Sequence, residues 1–165
     1  RNEKSVNVVS GQSRAIVDAL RTDLTTALSD SNVLIELYPL PIEELEVRQD
    51  IKKARIAIYE LPESTDVFVD AGRANLSTQQ YGIDISVVRG YAKNNATRGE
   101  LILYDYRDKI IDWARDTLNV SSVTNAYLYT FRYTSSGALI RNNRFVTRTL
   151  YFDGQRDINK QQFTP

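Results

Sequence analysis

Asp70, Asp84 and Glu100 carry the carboxylates that a metal-dependent nuclease could gather around a divalent cation. Such a site needs two or three carboxylates that converge from neighbouring strands, and no sequence spacing ties these three together. Asp84 lies on the polar side of an alternating segment, and Glu100 fits a helix cap. We therefore expect no metal site and keep a carboxylate-dependent metal nuclease only as an alternative function.

Histidine and cysteine are absent from all 165 residues. Ser–His and Cys–His relays, imidazole general bases and cysteine zinc sites are therefore excluded within this chain. The seven glycines are scattered and form no phosphate-binding loop. The sequence predicts no catalytic residue and no cofactor, and it favours a protein that is not an enzyme.

Charge is unevenly distributed along the chain, although the formal net charge is zero. Residues 33–70 contain nine acidic and four basic residues, a net charge of −5, whereas residues 121–152 contain four arginines and no acid. Arginines among aromatic residues suit a protein interface or nucleic acid, and zero net charge disfavours the latter. The subunit-interface candidates are Arg132, Arg141, Arg144, Arg148, Tyr129, Glu43, Glu44, Glu46 and Asp50.

An acidic segment and a basic segment in one small domain suit a head-to-tail contact between identical subunits. Two different surfaces meet in such a contact, and the assembly closes into a ring when the rotation between neighbours permits. The charge pattern therefore predicts a homo-oligomer in which acidic residues of one copy face arginines of the next.

Two amphipathic helices are predicted from apolar residues that recur at steps of three and four. The first covers residues 12–29. The second follows a capping box at residues 97–100, Thr-Arg-Gly-Glu, and runs to Asn119. These two segments must bury their apolar stripes against other elements.

Strands are predicted at residues 33–38, 55–61 and 81–91, the last from strict alternation of apolar and polar residues. Residues 42–53 are ambiguous, because Pro41 can open a helix whereas Leu45 and Val47 alternate as in a strand. Residues 63–79 are predicted to form a loop.

The last third of the chain is predicted to be a β-hairpin of residues 123–133 and 145–152. A loop that contains Ser135, Ser136 and Gly137 is expected to join the two strands. The predicted fold is α+β: a mixed, mainly antiparallel sheet with two amphipathic helices packed on it and a C-terminal β-hairpin. Residues 1–165 form a single domain, with a polar N-terminal arm at 1–11 and a polar C-terminal tail at 154–165.

The order of these elements resembles the tail-terminator proteins of long-tailed bacteriophages. In that family an amphipathic helix leads into a short strand that ends near prolines, similar to residues 16–28 and then 33–39 here. A central alternating strand precedes a second helix, similar to residues 81–91 and 99–118, and residues 144–152 resemble the closing Arg-rich and Thr-rich strand. The resemblance spans residues 13–153, and the stretch 63–80 and both polar ends depart from it.

This resemblance implies a structural virion protein. It would form a hexameric ring that caps the tail tube, ends tube polymerisation and joins the tail to the head connector. Its expected partners are further copies of itself, the tail tube protein and a head–tail connector or neck protein, with DNA passing through the lumen without specific binding and no membrane contact. The expected location is the head-proximal end of the virion tail, after synthesis in the host cytoplasm. A head-closure or neck protein is the near alternative, and a metal nuclease or a nucleic-acid-binding module are the alternatives of a different class.

Overall fold

The computed structural model of the chain describes residues 11–61, 76–90, 98–116 and 128–157. These residues form the predicted α+β fold, with three helices and six strands in the described part. In chain order the elements are α1 (Gly11–Leu28), β1 (Val33–Glu36), α2 (Ile42–Val47), β2 (Ala54–Glu60), β3 (Leu76–Val88), α3 (Arg98–Asp116), β4 (Leu128–Ser136), β5 (Ile140–Arg141) and β6 (Phe145–Asp157).

The strands form one sheet in the order β1-β2-β3-β6-β4, and β5 also pairs with β6. β1 and β2 are parallel, whereas the other pairs are antiparallel, so the sheet is mixed and mainly antiparallel as predicted. The longest ladder joins β3 to β6, from Leu76 opposite Asp157 to Val88 opposite Phe145. These two long strands lie next to each other in the interior of the sheet.

One face of the sheet, the helix-covered face, packs against α1 and α3. Most residues of the apolar stripes that the helical spacing predicted are buried or partly buried, whereas Ala27 of α1 is exposed. Each large apolar side chain that leaves water in this way contributes about 1.5–3 kcal/mol. The buried side chains include Ile16, Leu20 and Leu24 of α1, Leu103, Ile110 and Trp113 of α3, and Ile56, Ile83, Ile85, Leu150 and Phe152 of the sheet. Among the described helices none is long and apolar enough to cross a membrane.

A polar cluster at the rim ties α1, β2 and α3 together. The Lys53 ammonium donates to the Asp30 carboxylate at 2.9 Å, and the Tyr106 hydroxyl donates to the same oxygen at 2.8 Å. The hydrogen bond from Lys53 is the main reason why the pKa of Asp30 is lowered from 3.8 to about 2. The cluster therefore fixes the ends of three elements through one ionised carboxylate.

The opposite face of the sheet, the outer face, has a second and smaller apolar cluster. Leu45 of α2, Ile51 and Phe145 are buried together, with Leu34 and Val88 packed beside them. The ambiguous residues 42–53 are thus a short helix followed by an irregular segment that returns to β2. This segment closes the outer face where β6 begins.

The hairpin turn lies later in the chain than the sequence predicts. β4 continues to Ser136, and the Gly137 amide donates to the Thr149 carbonyl at 2.8 Å, so residues 135–137 run alongside β6. The turn is closed instead by the Asn142 amide, which donates to the Phe145 carbonyl at 2.8 Å. The predicted loop was wrong for Ser135 and Ser136, which extend β4 past a register shift, whereas Gly137 does lie in the irregular connection that follows the strand.

The sheet also extends into two segments that were predicted to lack structure. β3 begins at Leu76, inside the predicted loop, and β6 continues to Asp157, inside the predicted tail. These two polar stretches pair with each other through backbone hydrogen bonds, which do not need apolar side chains. The tail boundary at 154 was therefore wrong, as was the end of the arm, because α1 includes Gly11. Residues 1–10, 62–75, 91–97, 117–127 and 158–165 lie outside the described part of the chain.

Candidate subunit-interface surfaces

Glu43 and Glu44 lie on the first turn of α2, after Pro41, and both are exposed. The structure gives neither carboxylate an ion pair or hydrogen bond with any described residue. Leu45 turns inward to the small cluster, so its neighbours turn outward. Three large apolar side chains are exposed beside them, those of Tyr38, Ile42 and Val47, and Val47 is 69% exposed. We call these five residues, Tyr38, Ile42, Glu43, Glu44 and Val47, the α2 surface.

The other two predicted acids are engaged within the chain. Glu46 Oε2 accepts the backbone N–H of Arg144 at 3.3 Å. Asp50 accepts two hydrogen bonds from Arg48, at 2.6 and 2.7 Å, and the first cause of its pKa of about 2 is this hydrogen bonding. Neither carboxylate is as available to a neighbouring subunit as Glu43 and Glu44 are.

Arg144, a predicted interface residue, makes its contacts within its own molecule. Its guanidinium donates to the backbone carbonyls of Arg48 and Ile51, the second at 2.8 Å, and lies 4.9 Å from the centre of the Phe145 ring. These contacts hold the segment after α2 against the hairpin turn. The acidic segment and the hairpin thus contact each other inside one molecule, through the Glu46 carboxylate and the backbone N–H of Arg144 and through the Arg144 guanidinium and two carbonyls.

Arg141 and Arg148 also have partners in the same chain. Arg141 is exposed and forms an ion pair with Glu100 at the start of α3. Arg148 is half-buried, and its Nε donates to the Gly137 carbonyl at 2.8 Å, across the register shift. These two arginines fix α3 and the β4–β5 connection to the sheet.

Arg132 of β4 is the remaining predicted arginine, and it is exposed. It lies opposite Asp153 of β6 in the strand register, yet the described residues give it no ion pair and no side-chain hydrogen bond. The side chain of Tyr129, the other candidate on this strand, lies outside the described residues. Arg132 is therefore the candidate whose charge is most available to a partner.

A groove runs between the last turns of α3 and β4, beside Arg132. Its volume is about 690 Å³. Phe131 in its wall is held by Phe152, whose ring stacks on it at 4.7 Å, and by Trp113 at 5.7 Å. We call it the α3–β4 groove; its lining residues include Ile111, Ala114, Arg115, Phe131, Arg132 and Tyr133.

The α2 surface and Arg132 lie near opposite ends of β6. Leu45 of α2 packs on Phe145, the first residue of β6, whereas Arg132 pairs with Asp153, eight residues further along the strand. At ~3.3 Å per residue these positions are about 26 Å apart. Glu43 and Glu44 therefore cannot reach Arg132 of the same molecule.

One charged network was not predicted from the sequence. Arg55 is 2% exposed, pairs with Glu36 through its Nε and donates to the Tyr38 carbonyl. Arg48 donates to the same carboxylate at 3.0 and 3.2 Å. Burial favours a higher pKa for Glu36, but the hydrogen bonds from the two arginines outweigh it and lower that pKa. Because side chains alternate between the two faces of a strand, Arg55 projects from the face of β2 that Ile56 does not, and this alternation was the sequence signal for a buried charge on the outer face.

The carboxylates considered for a metal site are in different places. Asp84 lies on the outer face, where it accepts hydrogen bonds from the Tyr59 and Thr149 hydroxyls, both at 2.7 Å. Glu100 pairs with Arg141, and Asp70 lies outside the described residues. In the ranges that the structure describes, no group of three acidic side chains could hold a metal ion.

No protein-family model and no curated protein matches this chain. Among solved structures, a protein designated only by a sequence identifier aligns over 90% of this chain and 96% of its own, with 13% identity and a TM-score of 0.40. A likeness at that level carries no argument about function.

Proposed function

We propose that this protein is a structural subunit that assembles head-to-tail into a ring, and that the ring ends the tail tube of a long-tailed bacteriophage and joins it to the head connector. The observation that supports this most is the distance between charges that have no ion pair in the described part of the chain. Glu43 and Glu44 lie at one end of the sheet and Arg132 at the other, about 26 Å away. One molecule cannot bring these groups together, but a neighbouring copy can.

A second observation supports a ring that also has an axial partner. Among the described residues, the exposed large apolar side chains occur in two groups, one of which belongs to the α2 surface. The other consists of Leu101 and Tyr104 on α3 and Ile140 on β5, close to the ion pair between Arg141 and Glu100. A ring that caps a tube needs contacts with its neighbours and a separate contact along the tube axis. The second group is our candidate for the axial contact with the tube or connector.

The phage assignment is supported by the order of elements. α1 leads into β1 ahead of Pro39, the alternating strand β3 precedes α3, and β6 carries Arg148 between two threonines. The six-fold ring, the tube partner and passage of DNA through the lumen come from the resemblance to tail terminators and remain part of the proposal.

The mass and shape of the assembly test the ring. We expect light scattering to give a mass near six protomers and negative-stain images to show an annulus, either for the protein alone or after addition of isolated tail tubes. Tubes can act as a template, because binding to a preformed partner adds stability that isolated subunits lack. A protein that stays monomeric and does not bind tube ends would contradict the proposal.

Two further measurements separate the alternatives. A head-closure protein would bind isolated head connectors in preference to tail tubes. A metal nuclease would gain thermal stability from Mg²⁺ or Mn²⁺, and a nucleic-acid module would show salt-sensitive retention on DNA. We expect tube binding with neither of the last two effects.

A further inference from the structure

The α3–β4 groove is a concave surface whose lining includes Arg115 and Arg132. β6 pairs with one edge of β4, and no strand in the described ranges pairs with the other edge, where the groove opens. The Phe131 wall is fixed by aromatic packing, so the groove needs no rearrangement to accept a partner. Its volume of about 690 Å³ is in the range that holds several side chains.

The charged side chains that line the groove are Arg115 and Arg132, and the neighbouring acids Asp112 and Asp153 lie outside this lining. Arg132 has no ion pair among the described residues. Arg115 pairs with Asp112 at 3.0 Å, but both side chains are 72% exposed, and such surface pairs are weak enough to exchange partners. An occupant with carboxylates beside apolar side chains would therefore match both the charge and the lining.

The α2 surface has this chemistry. Glu43 and Val47 are one helical turn apart and project from the same side of α2, and Glu44 and Ile42 flank them. This surface presents two carboxylates without an ion pair among the described residues and two exposed apolar side chains, Ile42 and Val47, on a helix that is less than two turns long, with Tyr38 just before it. Its position about 26 Å from the groove means that the two surfaces can meet only between molecules.

The free edge of β1 fits the groove less well. A smaller cavity of about 460 Å³ lies there, and its lining includes Arg14 and Arg21 of α1, both paired with Asp18, together with Glu36. The carboxylates near this edge already pair with arginines of the same molecule, whereas Glu43 and Glu44 have no ion pair among the described residues. The charges thus favour α2 over an edge-to-edge contact of strands.

We propose that the α2 surface of one copy docks in the α3–β4 groove of the next copy. The two carboxylates of α2 meet Arg115 and Arg132, and Ile42 and Val47 pack against Ile111. This contact deepens the proposed function, because it rests on the head-to-tail assembly of identical subunits and names the surfaces that meet.

Charge reversal on each side tests the contact in the full chain. We expect the double variant Glu43→Arg with Glu44→Arg to weaken self-association by about 100-fold or more, and Arg132→Glu to do the same, because each places like charges face to face. An equimolar mixture of the two variants should assemble again, since each then finds a complementary partner. Light scattering and sedimentation velocity over a range of concentrations, with and without tail tubes, measure both effects.

The matched control combines Asp105→Arg with Lys109→Glu on the exposed side of α3, outside both surfaces. This variant should assemble like the unmodified protein. All substituted side chains are exposed, and thermal denaturation of each variant verifies that it folds.

The outcomes separate this contact from the ring itself. Variants that still form the annulus would overturn the docking contact and leave the ring standing, as would a mixture that fails to reassemble. Loss of association on charge reversal, in a protein whose assemblies are not annular, would support the contact and overturn the ring. A protein that is monomeric with and without tubes would overturn both.

Discussion

The two faces of the sheet are closed by different chemistry. α1 and α3 cover one face with a continuous apolar core, in which charged groups occur at the rim. The outer face is closed at one end by Leu45, Ile51 and Phe145, beside an ionic network around Arg55. The two faces therefore have different roles. The helix-covered face supplies most of the stability, whereas the outer face positions the α2 surface.

Replacing one buried phenylalanine on each face by alanine is expected to have the largest effect on stability. We expect Phe131→Ala to lower the free energy of unfolding by about 4 kcal/mol, because Phe131 packs against three aromatic rings on the helix-covered face. Phe145→Ala should cost about 3 kcal/mol, because its cluster is smaller. Chemical denaturation measures both values, and a larger loss for Phe145→Ala would reverse the comparison.

Removing a carboxylate tests the ionic network of the outer face. We expect Glu36→Ala to lower the free energy of unfolding by about 3 kcal/mol, because it leaves the buried guanidinium of Arg55 without a counter-charge. Asp50→Ala is the control, since Asp50 is an exposed partner of Arg48 and its loss should change stability little. Equal effects of the two substitutions would show that burial of Arg55 does not matter.

Substitution of one glycine on each face by alanine tests how tightly the two faces of the sheet are packed. A Cβ at Gly154 would lie 2.8 Å from the Tyr81 ring and 3.2 Å from the Thr130 carbonyl, so Gly154→Ala should cost about 2 kcal/mol. The three atoms nearest to a Cβ at Gly82 all belong to the Tyr59 side chain on the outer face, the first at 2.8 Å, and a side chain can shift more easily than backbone. Gly82→Ala should therefore cost about 1 kcal/mol, as measured by thermal denaturation. A greater loss for Gly82→Ala would show that the Tyr59 ring is held rigidly by its hydrogen bond to Asp84.

The smallest expected effect concerns the charged rim of the helix-covered face. The pKa of Asp30 is about 2 in the folded state, below its ordinary value of 3.8, so the folded state binds fewer protons between these values. Its contribution is complete above about pH 4 and is lost as the pH falls towards 2. Because Asp30 is partly exposed, we expect about 1 kcal/mol.

The variant Asp30→Asn isolates this contribution. It should be less stable than the unmodified protein near neutral pH, and the difference should shrink as the pH falls through the pKa of Asp30. Urea denaturation at several pH values measures the difference. A difference in unfolding free energy that does not change with pH would mean that the hydrogen bonds of Asp30, and not its charge, stabilise the polar cluster.

Local periodicity predicted the helix-covered face well. The steps of three and four in α1 and α3 and the alternation in β3 mark the side chains that are buried there, because each pattern is set by the geometry of its own element. The short helix α2 stayed ambiguous for the same reason, since six residues are too few to define a period.

The surface predictions depended on contacts between distant residues, which sequence patterns do not contain. A run of arginines without acids suggested four available charges, yet the fold brings Arg144 to the carbonyls of Arg48 and Ile51 and pairs Arg141 with Glu100. Arg132 could not be distinguished from these by sequence. The contact between α2 and the start of β6 was also invisible, because about 100 residues separate them.

The irregular edge of the sheet bears on how copies can associate without forming fibrils. β4 has register shifts between Leu128 and Thr130 and between Tyr133 and Ser135, so its outer edge does not present an even row of amides and carbonyls. Such an edge is a poor template for the strand-by-strand growth that produces amyloid. The proposed ring would then form through side-chain contacts between copies and not by continuation of the sheet from one copy to the next.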